Sequence, residues 1–441
     1  MTQPARIGIL GLGTVGSGVV RLLSESADHI ERHVGRRIVV ERAVVRHASK
    51  ERGLDLPAGI VTDDLAAISS DPGISVGVLL VGGLEPARSM AVALLESGKD
   101  LVTANKALLA EHGPELFALA RERGRSIAFE AAVAGGIPIV AAISECLAAN
   151  RIDSIRGILN GTSNFILSRM EEEGIGYAEA LAQAQANGFA EADPSMDVDG
   201  TDATQKLAIL AHLAFGMWVP WREIPRTGIE QFDPAVLEDA AELGYRVRLV
   251  ALASRGDGRV SMRVAPALVR IGTPLAETRG AFNAVSIVGD AVGPMFFHGL
   301  GAGQMPTASA VVADIIDTVV GRAAITFRTT GMLSPESPVL GGGVEDAHFL
   351  RIHAGDRPGV LAGLTGILGE HGISIASMIQ RPEKPVGRES ATSGIPLAIL
   401  THPAPPETMA RAVAAIDQSD DVFGRTVCLG VLDQSIHAGH I

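Results

Sequence analysis

A chain of 441 residues, at about 100–200 residues per domain, has room for two or three packed units and is no peptide or stapled mini-protein. Hydrophobic residues make up 47% and charged residues 20%, an ordinary globular composition that argues against a disordered tail or a membrane protein. With 50 Asp plus Glu against 37 Lys plus Arg, a formal charge of −13 and no long basic run, no nucleic-acid surface is expected and a small molecule is the expected client.

Strand-like and helix-like segments alternate from the start, the sequence form of βαβ units around a mostly parallel sheet. The reading places strands at 7–10, 38–45, 76–81, 100–103 and 126–129, with helices running to about 33, near 63–69, and at 86–97 and 114–123. From about 137 to 297 the alternation gives way to long helices and to strands such as 152–159, 260–265 and 284–289, as in an α+β unit. Residues 329–344 are rich in Gly, Pro and Ser and read as a linker. Beyond it, strands at 349–353, 373–379, 396–400 and 426–431 with helices at 358–370 and 407–417 give the order βαββαβ. Cys146 and Cys428 are the two cysteines. They offer no disulfide framework or soft-metal cluster, and the N-terminal run lacks a signal-peptide pattern, so a cytoplasmic, reducing setting is expected with no membrane partner.

Gly11-Leu12-Gly13-Thr14-Val15-Gly16 follows a strand and opens a helix. Such a turn brings backbone N–H groups onto a pyrophosphate and marks a dinucleotide site. An acidic residue that would hold a free ribose 2′-hydroxyl is missing from the end of the second strand, where Val44-Val45-Arg46-His47 stands instead. Arg46 therefore points to NADP over NAD, against the reading of a solvated basic turn. Lys106 closes Val102-Thr103-Ala104-Asn105-Lys106 at the C-terminal end of a strand, where ligands of open α/β sheets bind and a lysine can face an anion; a helix-start Asn with a solvated Lys reads equally well.

The segment 188–206 carries Glu191, Asp193, Asp197, Asp199 and Asp202 before Lys206. Asp202 and Lys206 lie four apart and share a helix face. In a cleft the acid would orient a proton-donating ammonium, whereas on the surface the pair would be worth only about 0.3–0.5 kcal/mol. The carboxylate spacing lacks the glycine and terminal glutamate of an EF-hand loop. His212, on the apolar face of the same helix, reads as a core residue. Glu130 followed by Ala131-Ala132-Val133-Ala134-Gly135-Gly136-Ile137 offers one carboxylate and a turn of carbonyls, an all-oxygen set suited to a hard cation.

Together these segments, with Gly157-Ile158-Leu159-Asn160-Gly161-Thr162-Ser163-Asn164 and the run 301–311, resemble homoserine dehydrogenase over nearly the whole chain. Asp356-Arg357-Pro358-Gly359 after its first strand makes the C-terminal unit similar to an ACT domain. The resemblance implies a Rossmann-type nucleotide-binding domain at 1–136 completed by about 301–328, an α+β catalytic and dimerisation domain at 137–300, a linker at 329–346 and an ACT-like regulatory domain at 347–433. It implies reversible reduction of L-aspartate 4-semialdehyde to L-homoserine by NAD(P)H, on the way to threonine, isoleucine and methionine. In that scheme Lys206 is the proton donor with Asp202 beside it. Glu191 holds the substrate ammonium, Asp197 lies with it in the substrate site, and Lys106 lies near the nicotinamide and the substrate carboxylate. Gly188 approaches cofactor and substrate, Gly303 joins Gly11 to Gly16 at the cofactor, and Glu130 with the carbonyls of Val133, Gly135 and Ile137 binds sodium. L-Threonine is the implied effector and a homodimer or homotetramer the implied assembly. Leu79 and Leu300 depart from residues common in the family. Another NAD(P)-dependent oxidoreductase and a non-catalytic amino-acid sensor are the competing classes, and neither accounts for Glu191, Asp202 and Lys206 together.

Overall fold

The computed structural model describes residues 3–54, 56–230, 232–256, 259–330, 339–340, 345–380 and 394–432. The greater part of the expected linker, including Gly341-Gly342-Gly343, lies outside them. Six parallel strands form the first sheet: β1 (Ala5–Leu10), β2 (Ile38–Val44), β3 (Val61–Thr62), β4 (Ile74–Leu79), β5 (Asp100–Thr103) and β6 (Ile127–Ala128), in the order β3-β2-β1-β4-β5-β6. The chain runs outward from β1 to β3 and returns across it to β4, so the glycine loop after β1 stands where the strand order reverses. Its strands are apolar on both faces because helices cover both. On one side Ile7, Ile9, Val76 and Val78 pack with Val19, Val311 and Ile315, the last two from the late helix Gln304–Val319. That helix returns to the first sheet after the chain has laid down the strands of the second that lie between Ile152 and Leu300.

The expected elements are present here with two informative differences. The first helix is two, Thr14–Glu25 and Ala27–Val34, separated at Ser26. The helix expected to begin at Pro114 spans Lys106–Glu122 with Pro114 inside it. Asn105 starts it eight residues earlier by accepting the Leu108 N–H at 2.9 Å.

The second sheet contains β7 (Ile152–Ile158), β8 (Tyr245–Gly256), β9 (Arg259–Arg270), β10 (Phe282–Gly289), β11 (Gly293–Leu300), β12 (Val339–Leu340), β13 (Ala347–Ala354), β14 (Ile375–Gln380), β15 (Ile395–Thr401) and β16 (Val427–Leu432). Its order is β11-β10-β7-β8-β9-β16-β13-β15-β14, with β12 also on β9. The last four, β16-β13-β15-β14, form the sheet of the βαββαβ unit, whose helices Val360–Glu370 and Pro406–Asp417 cover one face. The sheet of that unit is continuous with the central one, because β16 pairs in parallel with β9 from Gly430↔Ala267 to Leu432↔Val269. A buried ion pair reinforces the join: Arg351 on β13 donates to Asp239 of the helix Pro234–Glu242 at 2.7 Å.

The helix Thr201–Phe215 runs through the middle of the molecule with every residue but Ala214 buried. Buried on every face, it is a core helix, and it carries Asp202 and Lys206 inside. His212 belongs to its packing, stacked on Trp218 with ring centroids 4.0 Å apart, and burial pushes its imidazole down to about 4.

Candidate active site

The site gathers at the ends of β5 and β7, whose turns touch the buried helix, with the glycine turn after β1 at the same end of the first sheet as β5. Gly11 follows β1 with φ +102°, which L side chains rarely adopt, and a Cβ on Gly16 would fall 2.1 Å from the Gly11 carbonyl oxygen. Both glycines are therefore required by the turn itself, while the space beside Gly13 is open. Gln304 donates to the Thr14 carbonyl at 3.0 Å, which sets Gly303, at φ +119°, beside this loop. Arg46 lies exposed two residues beyond β2. Leu79 is fully buried and its carbonyl accepts from Thr103 Oγ1 at 3.0 Å, so the β4 end is tied to the β5 end.

Asn105 and Lys106 follow β5. The Asn105 side chain caps the helix through its oxygen and donates to the Val81 and Gly83 carbonyls at 2.9 and 2.7 Å, which fixes the loop after β4. Lys106 then reaches across to Asp202, with Nζ 2.9 Å from Oδ1. Lys206, one turn further along the buried helix, donates to Asp202 Oδ2 at 2.7 Å and to the Leu159 carbonyl at 2.7 Å. Both Asp202 and Lys206 are buried, which removes the reading of a surface ion pair. Burial pushes the Asp202 carboxyl up, but the two ammonium groups outweigh it and hold the carboxyl well below the usual range. Burial lowers the Lys206 ammonium against the pull of Asp202, whereas Asp202 raises that of Lys106. One lysine of the pair is thus the better proton donor and the other the more persistent cation.

Asp197 is half-buried on the short helix Ser195–Val198, and burial raises its carboxyl while an Asn160 hydrogen bond opposes the rise. Glu191 is exposed at the rim, and its charge helps to raise the Lys106 ammonium. Gly188, at φ +73°, turns the chain just before it. Lys106, Asp197, Asp202 and Lys206 thus come together, with Glu191 at their edge.

Three groups with no role in the sequence reading belong to this cluster: the Leu159 carbonyl, Asn160 and Asn283, whose Nδ2 donates to the same Leu159 oxygen at 3.0 Å. The only sequence signal was an Asn at a strand-to-helix junction. A carbonyl leaves no signal at all.

Glu130 is buried beyond β6. Its two carboxylate oxygens accept the N–H groups of Val140 and Ala141 at 2.9 and 2.8 Å, and its own N–H donates to Asp314 at 2.9 Å. Burial pushes the Glu130 carboxyl up to about 7. The turn that follows has Ala134 at φ +52° and is held by the Gly136 N–H on the Leu300 carbonyl at 2.9 Å. Among the described residues no group of three or more His, Cys, Asp or Glu side chains gathers to hold a metal.

Three family models match the chain: homoserine dehydrogenase NAD binding domain at residues 11–130, homoserine dehydrogenase at 138–316 and ACT domain at 348–418. A homoserine dehydrogenase of Pseudomonas aeruginosa is 41% identical over 438 residues, 97% of this chain and 99% of that protein. One of Bacillus subtilis is 39% identical over 90% of this chain and 91% of its own length. The crystal structure of a homoserine dehydrogenase from Thiobacillus denitrificans superposes with a TM-score of 0.90 at 40% identity, covering 98% of this chain and 99% of that one. A hyperthermophilic archaeal homoserine dehydrogenase mutant in complex with NADPH matches 72% of this chain and 98% of its own, with a TM-score of 0.61 and 28% identity. With two family models spanning the catalytic and nucleotide-binding parts and full-length relatives near 40% identity, the chain belongs to the homoserine dehydrogenase family and is an oxidoreductase with a C-terminal ACT domain.

Proposed function

We propose that the chain reduces L-aspartate 4-semialdehyde to L-homoserine, and catalyses the reverse oxidation, with Lys206 as the proton donor and NADPH as the preferred cofactor. The observation that carries this reading is the commitment of Lys206. Its ammonium has three protons, of which the Leu159 carbonyl and Asp202 take two at 2.7 Å each, and the third is left for a substrate oxygen. Bound NADPH supplies the hydride. Reduction leaves negative charge on the former aldehyde oxygen, and Lys206 both stabilises that charge and quenches it with a proton. Asp202 orients Lys206 from one oxygen and anchors Lys106 from the other. Lys106, held cationic, is suited to the substrate carboxylate, while Glu191 and Asp197 are suited to the substrate ammonium and Gly188 to close backbone approach. A sensor without catalysis would gain nothing from such a buried array, since burying charges costs stability unless every partner is satisfied.

Arg46 supports NADPH because its guanidinium can pair with a 2′-phosphate, and the loop that carries it also holds Lys50 and Arg52. The residues at 11–16 and 303 suit the pyrophosphate and the rest of the cofactor. The Glu130 turn suits a monovalent cation such as sodium in the chemistry of its donors: a buried carboxylate with the carbonyls of Val133 and Gly135. The Ile137 carbonyl would share its role with the Ile139 N–H, which it already accepts at 2.8 Å. At the ACT domain, Gly359 at φ +96° opens the helix Val360–Glu370 after Asp356, Arg357 and Pro358, an arrangement suited to an amino-acid carboxylate, with L-threonine as the effector. Assembly as a homodimer or homotetramer is supported by the edge strand β11, which leaves Phe296 and Leu300 exposed. Both cysteines are free and no helix among the described residues is long and apolar enough to cross a membrane, which agrees with a cytoplasmic enzyme.

Four measurements test these readings. Lys206→Met is expected to lower kcat, followed by nicotinamide absorbance with aspartate semialdehyde, by about 10²–10⁴-fold while NADPH binding stays near wild type; a wild-type kcat would end the assignment. Arg46→Ala is expected to reduce the NADPH over NADH ratio of kcat/KM, and an unchanged ratio would remove Arg46 from cofactor choice. For the cation, thermal melts at pH 8, above the value of about 7 to which burial raises the Glu130 carboxyl, should give a higher midpoint in sodium chloride than in tetramethylammonium chloride. Glu130→Gln should erase that difference. L-Threonine should inhibit the intact enzyme and lose potency in Gly359→Val, which disturbs the turn without cutting β16 from β9; equal inhibition of both would place the effector elsewhere.

A further inference from the structure

Asn160 sits between β7 and the helix Gly161–Glu173, in contact with both acids of the buried cluster. Its Nδ2 donates to Asp197 Oδ1 at 2.7 Å and to Asp202 Oδ2 at 2.8 Å. An amide nitrogen has two protons, so each carboxylate receives one. The orientation of the amide is not free, because Oδ1 accepts the Ser163 N–H at 2.7 Å as the cap of the helix. Only the nitrogen can then face the acids. The same helix holds the Asp197 backbone, through Ser163 Oγ on the Asp197 carbonyl at 2.7 Å. One residue earlier, the Leu159 carbonyl takes a proton of Lys206.

We propose that Asn160 is a positioning residue for proton transfer: it holds Asp197 and Asp202 side by side as ionised acids and so fixes where Lys206 presents its remaining proton. The proposal rests on the reading of Lys206 as the donor. Two acids this close repel, and a neutral group that donates to both lowers the cost of keeping them ionised. The charged groups facing this point are Asp202 and Lys206 from the buried helix, Asp197 from the short helix before it and Lys106 from the helix after β5, with Glu191 at the rim. Helix capping does not explain the choice of residue. Asp and Ser cap as well as Asn does, but neither supplies one acceptor and two donors from a single side chain.

That difference supplies the experiment. Asn160→Ser and Asn160→Asp both keep a cap, so NADPH affinity is expected to stay near wild type, while the lost donors to the buried acids lower the thermal midpoint in both. Asn160→Ser should lose about 10²-fold in kcat with little change in KM for NADPH. Asn160→Asp adds a third carboxylate next to Lys206, which raises the pKa of its ammonium. Homoserine oxidation needs Lys206 neutral as the acceptor, so the acid limb of its kcat profile should move up by about one pH unit. If kcat in both variants stays within about threefold of wild type and the acid limb does not move, Asn160 is a helix cap and nothing more. Should Asn160→Asp fail to fold, kcat of Asn160→Ser decides alone. Lys206→Met measured alongside keeps the two ideas apart, since loss of activity there with active Asn160 variants overturns only the positioning role.

Discussion

Asp202 is buried between two ammonium groups, one on each carboxylate oxygen, and the placement of the surrounding elements follows from that arrangement. A buried carboxylate is costly by itself, and removal of one partner of a buried charged group is typically more damaging than removal of the whole set. Satisfying Asp202 requires Lys106 from the first sheet, Lys206 from its own helix and Asn160 from the end of β7. Three segments distant in sequence must therefore converge before the charge is acceptable in the interior. The same convergence brings the cofactor turn of the first sheet against the central unit, because Lys106 leaves β5 at the same end of the sheet as Gly11 leaves β1. Stability and chemistry make the same geometric demand here.

The two lysines differ through their surroundings alone. Lys106 is partly open to solvent and its charge is reinforced by Asp202, Asp197 and Glu191, whereas Lys206 is buried with Lys106 as a like charge nearby. A donor must give up its proton during the reaction and a binding cation must not. On the proposed reading, burial depth divides those duties between two side chains of the same type, without any special residue.

The elements most readable in the sequence were those whose pattern is local. The glycine turn, the alternation of the first sheet and the βαββαβ order are each written in runs of neighbouring residues, and the helix carrying Asp202 and Lys206 announced the shared face of that pair. What the sequence left open was non-local or carried by backbone. The pairing of β16 with β9 joins residues more than 150 positions apart, and nothing in either strand's composition names its neighbour. The start of the helix at Lys106 was hidden by Pro114, which reads as a first-turn residue although Asn105 supplies the actual cap. The Leu159 carbonyl belongs to a residue whose side chain is core, so no residue type could advertise its role. For Asn160, the motif drew the eye, while the reason for the residue became visible only once Asp197 and Asp202 stood on either side of it.

The continuity of the second sheet also constrains how the ACT domain can influence turnover. An effector acts only by binding two arrangements of the protein with different affinity, and those arrangements must differ at the reacting groups. Between the ACT domain and Lys206 the connections include β16 on β9, the Arg351–Asp239 pair, and then β9 on β8 and β8 on β7. Strand β7 ends at Ile158, next to the carbonyl that holds Lys206 and the amide that holds its acids. A sheet transmits a change in strand position far better than a flexible tether does, because its hydrogen-bonded register does not yield by small amounts. The Gly-rich stretch in the sequence suggests independence of the C-terminal unit, but the strand pairing past it ties that unit to the sheet that holds Lys206. On the proposed reading, regulation through this unit would act on the pose of β7 and the two residues after it.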